Sequence, residues 1–195
     1  MRYDLATLKA RLGSIKTDDN PAILKQKSRD FYWYSPTLKR QLDAVVGDLI
    51  VIPANEDELA TVLGECHRLG IPVTPRGTGT GNYGQAMPLS GGVVLDLSAM
   101  NEIRAIAPGR VVTGPGAILS EIDKELRAKS AQELRMHPST YHTATIGGFI
   151  AGGSGGVGSI RWGGLRDYGN IIRMKVMTME ARSEEHTSEL QSHAC

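Results

Sequence analysis

Apolar residues recur at helical spacing from the start of the chain. Leu5, Leu8, Leu12 and Ile15 predict a short amphipathic helix. Further on, Leu49, Ile50, Val51, Ile52 and Pro53 read as a short buried strand. Asn55, with Glu58 three residues later, forms a capping-box pattern. Leu59, Val62, Leu63, Cys66 and Leu69 then make one apolar stripe, and Gly70 stands where a left-handed residue closes a helix. Residues 71–74 and 93–97 are expected as second and third strands, so strand–helix–strand order implies a small sheet with parallel pairing. Residues 103–106 and 111–113 flank the turn signal Pro108-Gly109. Ile118, Leu119, Ile122 and Leu126 form a second helical stripe, and 171–179 a closing strand. The second half therefore reads as an α+β lobe of its own. No internal repeat is visible.

Two stretches stand outside this pattern. Phe31, Tyr32, Trp33 and Tyr34 are four of the chain's ten aromatic residues. They are expected to belong to an arm packing on the domain surface, with a substrate entrance or subunit contact as the alternative. From Arg182 the text RSEEHTSELQSHAC has neither periodicity nor turn logic. Residues 182–192 resemble the translation of a common sequencing adapter, so 182–195 is read as an artefact and the natural chain as cut short there.

Composition narrows the class. Of 195 residues, 41% are hydrophobic and 22% charged, enough for a buried core and far from a disordered composition. The formal net charge is +1, or +3 once Arg182, Glu184, Glu185 and Glu189 are set aside, too small for a nucleic-acid-binding field. Two cysteines, Cys66 and Cys195, make no disulfide framework, and Cys66 falls on the apolar stripe as a core residue. The opening MRYDLATLKARLG is not a signal-peptide pattern, and no apolar run approaches the ~20 residues of a membrane span. A cytoplasmic location is expected.

The 23 glycines carry the chemistry. Seven lie between Gly70 and Gly92, and ten between Gly147 and Gly169. The first cluster holds Arg76, Gly77, Thr78, Gly79, Thr80, Gly81 and Asn82, straight after an expected strand. Alternating glycines leave amides unshielded, and successive amides form a concavity for a phosphate or pyrophosphate; threonine hydroxyls add donors. The second cluster opens at Thr145, which is expected to cap a short helix starting at Ile146, Gly147 and Gly148. Its N-terminus, free of bulky side chains, is read as a second anion and polar-ring site, and the small residues from Ala151 to Gly156 would let a flat group lie on the backbone. Gly79-x-Gly81-x-x-Gly84 and Gly153-x-Gly155-x-x-Gly158 both match a dinucleotide fingerprint, but neither is expected to open a helix. A Gly-Lys-Ser/Thr ending is missing, which excludes a P-loop. His137 and His142 are candidate bases but read as hydrogen-bonding loop residues. Arg161, Arg166 and Asp167 read as structural. No metal site is expected.

In order along the chain, R-G-T-G-T-G-N, then G-G-V-V-L-D-L-S, then P-S-x5-T-I-G-G-x-I-A-x-G resemble the FAD-binding domain of the vanillyl-alcohol oxidase / p-cresol methylhydroxylase (PCMH) type. The similarity is greatest to the glycolate-oxidase FAD-subunit and D-lactate-dehydrogenase group and covers about 48–179. It implies an α+β, two-lobed FAD-binding domain: a small parallel β/α lobe (about 48–100) and a mainly antiparallel α+β lobe (101–181). An arm at 1–47 precedes them, and the tail at 182–195 follows. The resemblance places Arg76 to Asn82 around the FAD pyrophosphate, and Pro138, Ser139, Thr145, Gly147, Gly148 and Ala151 along the flavin and its ribityl and phosphate chain. Some members attach FAD through a histidine in the first loop. Gly81-Asn82-Tyr83 has none, so non-covalent FAD is expected.

The flavin would carry the redox step. The implied activity is oxidation of a 2-hydroxy acid, D-lactate- or glycolate-like, or a related alcohol, with hydride passing to FAD. Catalytic residues would lie in a following substrate domain, so this stretch alone is expected to bind FAD weakly and not turn over. An oligomer or an electron-acceptor subunit is a further expected partner. A non-catalytic flavin or nucleotide module, and a UDP-N-acetylenolpyruvoylglucosamine reductase-like enzyme, are the alternatives.

Overall fold

A computed structural model describes residues 3–153, 155–167, 169–180 and 183–187. Helix α1 (Leu5–Leu12) is capped by the Asp4 side chain, which accepts from the Thr7 N–H. It leads into β1 (Lys16–Asp18). Helices α2 (Pro21–Lys27) and α3 (Pro36–Leu42) each begin at a proline and are capped by Asn20 and Ser35. A 3-10 turn (Tyr32–Tyr34) lies between them.

Strand β2 (Leu49–Ile52), helix α4 (Glu56–Leu69), β3 (Val73–Arg76) and β4 (Val93–Asp96) follow the expected alternation. The Asn55 Oδ1 accepts from the Glu58 N–H at 2.9 Å, and Glu58 reaches back to the Ala54 N–H at 2.8 Å. The capping box thus closes one residue earlier than its usual partner. Gly70 is left-handed at φ 63°. The Ile71 N–H donates to the Cys66 carbonyl at 2.9 Å, a Schellman closure. That bond corrects the expected strand at 71–74: Ile71 finishes the helix, and β3 begins two residues later.

The strands form one sheet in the order β1-β2-β4-β3. Two pairings are parallel, with Leu49 beside Val93 and Val73 beside Val93, and β1 pairs antiparallel with β2 on the outer edge. Leu8, Leu12, Leu49, Val51, Val62, Leu63, Cys66, Val93 and Leu95 bury one face under α1 and α4. Leu24 of α2 covers Ile50 and Val94 on the other. Burial on both faces explains why β2, and β4 up to Asp96, are continuously apolar.

The second lobe holds the hairpin β5 (Ile103–Ala107) and β6 (Arg110–Thr113), helix α5 (Leu119–Ser130) and helix α6 (Ile146–Gly152). Ile122 and Leu126 pack beneath Ile103, Ile106 and Val111, and Leu119, Met136, Ala144, Phe149 and Leu165 make a neighbouring cluster. A single turn, α7 (Ser159–Trp162), follows Gly158, where no helix was expected. Arg135 and Arg161 lie over the Trp162 ring, 4.9 and 4.8 Å from its centre.

Strand β7 (Arg173–Met177) pairs antiparallel with β8 (Ser183–Thr187). The stretch read as foreign therefore contributes a backbone ladder, which asks little of side-chain identity. Arg182 and 188–195 lie outside the described residues.

The architecture is α+β in two lobes, with a mostly parallel sheet in one and an antiparallel hairpin in the other. Glu56 joins them: it pairs with Arg104 of β5 at 2.7 Å and with Lys175 of β7.

Candidate functional site

The loop from Gly77 leaves the carboxyl end of β3, beside the end of β4, where parallel sheets place their ligands. Across from it lies Thr145, the cap of α6. The Thr78 hydroxyl donates to the Thr143 carbonyl at 2.6 Å. A Cβ added at Gly77 would collide with the Thr145 side chain. The two glycine clusters, 65 residues apart in sequence at that bond, therefore meet at one place.

The loop's underside is filled by its own residues. Arg76 is 7% exposed, and burial pulls its guanidinium below the usual value while Asp96 and Asp30 hold it up. Its Nε donates to the Gly77 carbonyl at 3.1 Å and its Nη2 to the Thr78 carbonyl at 3.0 Å. Its Nη1 donates to the Arg29 carbonyl at 2.9 Å and to the Lys27 carbonyl. The Phe31 N–H donates to the Gly81 carbonyl at 2.7 Å.

These bonds set the amides. In a trans peptide the N–H points opposite to the carbonyl of the same unit, and no peptide bond in the described chain is cis. With the Gly77, Thr78 and Gly81 carbonyls drawn inward, the amides of Thr78, Gly79 and Asn82 face outward. Among the described residues none of these three donates to the protein. Outward amides beside a threonine-rich loop fit the pyrophosphate of a dinucleotide.

The glycine requirement has a different cause from the one the sequence suggests. Gly79 has φ 74°, and a Cβ there would run into the Arg76 guanidinium. A Cβ at Gly81 would come within 2.6 Å of the Gln85 Oε1 and 3.3 Å of the Asp30 Oδ2. At Gly79 the left-handed backbone and the guanidinium beneath, rather than access from above, exclude a side chain.

The α6 N-terminus requires a correction. The Ile146 N–H donates to the Ala117 carbonyl at 2.8 Å and the Gly147 N–H to the Pro115 carbonyl at 2.9 Å. The Gly148 N–H donates to the Thr145 Oγ1 at 3.2 Å, and the Phe149 N–H to the Thr145 carbonyl at 3.0 Å. All four first-turn amides are occupied, so this terminus is not an open anion site. A Cβ at Gly147 would press within 2.8 Å of Pro115. What α6 offers the site is shape: Gly148 and Ala151 are exposed on its surface.

Thr80 and Asn82 complete the outer rim of the loop, half-buried and exposed. Pro138 is half-buried and Ser139 exposed, in the turn after Met136, and no hydrogen bond joins either to the first loop among the described residues. Within the small-residue stretch 151–156, Ser154 lies outside the described residues. The His137 ring lies tilted against Tyr141, and Tyr141 meets His142 edge to face, with ring centres 4.6 and 4.9 Å apart. The Tyr141 hydroxyl donates to Asp123 at 2.7 Å, and burial with that bond pushes its pKa to about 12.

Residues the sequence did not single out hold the loop from below. Asp96, 1% exposed, pairs with Lys27 at 2.6 Å. Burial alone would raise the Asp96 carboxyl, but Lys27 and the Ser98 N–H outweigh it and hold it below the usual carboxylate range. Asp30, 4% exposed, accepts from the Tyr32 N–H through Oδ1 at 2.9 Å, and its Oδ2 has no partner among the described residues. Only long-range contacts reveal this set, since 27–30 and 76–96 are far apart in the chain. No group of three His, Cys, Asp or Glu side chains converges as a metal site among the described residues, and no described helix is long and apolar enough to cross a membrane.

Residues 47–185 match the family described as FAD binding domain. The chain is 36% identical over 135 residues to the D-lactate dehydrogenase of Archaeoglobus fulgidus, covering 69% of this chain and 30% of that protein. It is 33% identical over 132 residues to the glycolate oxidase subunit GlcD of Bacillus subtilis, covering 67% and 27%. The chain thus spans under a third of the length of these relatives. The structure superposes on alkyldihydroxyacetonephosphate synthase with a TM-score of 0.80 at 21% identity, over 94% of this chain and 34% of that one, a likeness of fold.

Proposed function

The chain belongs to the FAD binding domain family, with FAD as its cofactor, and we propose that it is the cofactor-holding part of an oxidoreductase acting on a 2-hydroxy acid. The single observation that carries the reading is the set of outward amides at Thr78, Gly79 and Asn82, in a chain related to a D-lactate dehydrogenase and a glycolate oxidase subunit. Bound FAD supplies a two-electron acceptor. The chain's own residues do the rest. Thr78, Gly79 and Asn82 would receive the pyrophosphate through their amides, with Thr80 at the rim. Thr145 would fix the facing wall, and Pro138, Ser139, Gly147, Gly148 and Ala151 would shape the flavin side. Gly147 would serve by its small size, because its N–H is already used.

FAD is held without a covalent bond in this reading, since no histidine stands at 81–83. The substrate's carboxylate and the proton acceptor would be met outside this chain. The location in this reading is cytoplasmic.

FAD titration followed by flavin fluorescence should show saturable binding by the chain, and acid precipitation should leave all the flavin in the supernatant. Anaerobic D-lactate or glycolate should bleach the flavin of a longer protein containing this chain. Flavin remaining in the acid pellet would overturn the non-covalent reading. Flavin untouched by either acid would overturn the substrate class.

A further inference from the structure

The loop's receptive shape is built from behind. The segment from Lys27 to Phe31 runs beneath it as a back-plate, offering the Lys27 and Arg29 carbonyls to Arg76 and the Phe31 N–H to Gly81. Four of the five N–H groups of Arg76 go to four different carbonyls. Two belong to the back-plate and two to the loop. All four of these bonds run inward, away from the loop's outer surface. A Cβ at Gly79 would occupy the same space as the guanidinium, so the loop closes directly over it. Asp30 and Asp96 supply the counter-charge, and Lys27 balances Asp96.

We infer that Arg76 is a positioning residue: clamped to the Lys27–Phe31 segment and countered by Asp30, it turns the loop carbonyls inward and so aims the Thr78 and Gly79 amides at the FAD pyrophosphate, without touching the cofactor itself. This rests on the proposed function. It reassigns Arg76 from the cofactor's surroundings to the loop's interior, and it brings in Asp30 and the N-terminal segment.

A brace and a direct phosphate contact behave differently. An ammonium carries charge but cannot span four carbonyls, so Arg76→Lys should lose as much affinity as Arg76→Gln. We expect both to weaken FAD and ADP binding by at least about tenfold while leaving riboflavin binding, which has no phosphate, unchanged. The salt dependence of FAD binding should stay the same, because a buried guanidinium is not screened as an exposed contact is. Full retention of affinity by the lysine variant, or a weaker salt dependence in both variants, would overturn the inference.

The unaltered chain gives a second reading that needs no variant. On adding inorganic pyrophosphate, the amide protons of Thr78, Gly79 and Asn82 should move in the NMR spectrum, and the Arg76 guanidinium protons should hold their positions. Movement of the guanidinium without the amides would overturn the brace. Failure of the unaltered chain to bind either pyrophosphate or FAD would instead overturn the functional reading. Slow exchange of the Arg76 guanidinium protons in the free chain would still support the brace, and fast exchange would still reject it.

Discussion

Asp96 shows how one side chain ties charge to folding at this site. It is 1% exposed and stands between Lys27 and the Ser98 N–H, which hold its carboxyl below the usual range. A depressed folded value adds stability above the unfolded pKa of about 4, and that stability is lost as pH falls through the folded value. Urea unfolding should therefore show a midpoint that declines below about pH 4. Asp96→Asn should flatten that decline and destabilise the protein by about 3 kcal/mol, because Arg76 and Lys27 would keep their charge with one counter-ion fewer. An unchanged acid profile would show that Asp96 is not the titrating group. Cys66 stands at the opposite extreme. Burial pushes its pKa up to about 11, on the closed side of α4. Iodoacetamide at pH 8 should leave the peptide carrying Cys66 unmodified in the folded chain and alkylate it after denaturation, as peptide mass mapping would show.

Among the elements, α5 ends on Ala131 in the left-handed region at φ 51°, a conformation that disfavours a side chain. Ala131 is exposed, so Ala131→Gly should raise stability by about 1 kcal/mol, measured as a higher urea midpoint with the same slope. The start of α6 gives the converse. A methyl at Gly147 meets the backbone of Pro115, so Gly147→Ala should destabilise by about 1–3 kcal/mol even without FAD. If the loss appeared only in FAD affinity, Gly147 would be serving the cofactor rather than the packing. The long apolar stripe of α4 and the runs in β2 and β4 were legible because burial on a repeating period leaves a local signature. Strand β1, with the sequence KTD, was not, since three polar residues on a sheet edge carry no such period. Helices α2 and α3 are short, and only their prolines and caps betray them. Within the site, the loop and the Thr145 cap could be read from glycine placement, but the occupied amides of α6 could not. The acceptors of the first two, Ala117 for Ile146 and Pro115 for Gly147, lie some thirty residues away.

Across the whole molecule, residues 3–46 are bound into the fold. Leu8, Leu12 and Ile15 share the core with α4, Leu24 seals the opposite face, and Lys27 and Arg29 carry the carbonyls that hold Arg76. Tyr32 is fully buried with its hydroxyl donating to Asp43 at 2.8 Å, while Phe31, Trp33 and Tyr34 cluster at the surface through edge-on and tilted ring contacts. The aromatic run is therefore one anchor and an outward cluster, more than an arm lying on the domain. A chain beginning at Gly47 should fail to fold cooperatively, seen as loss of a sigmoidal thermal transition by circular dichroism. A sharp transition in that shortened chain would show that the sheet stands without its N-terminal cover.

The back-plate under the first loop also bears on the order of events in the cell. Its hydrogen bonds form within the chain, so the loop's conformational entropy is lost when the polypeptide folds, not when the cofactor arrives. In the proposed function FAD would then enter a socket already shaped. Loading would then be limited by diffusion and the shedding of water rather than by a search through loop shapes, and stopped-flow mixing with FAD should show a single binding phase whose rate rises linearly with FAD concentration.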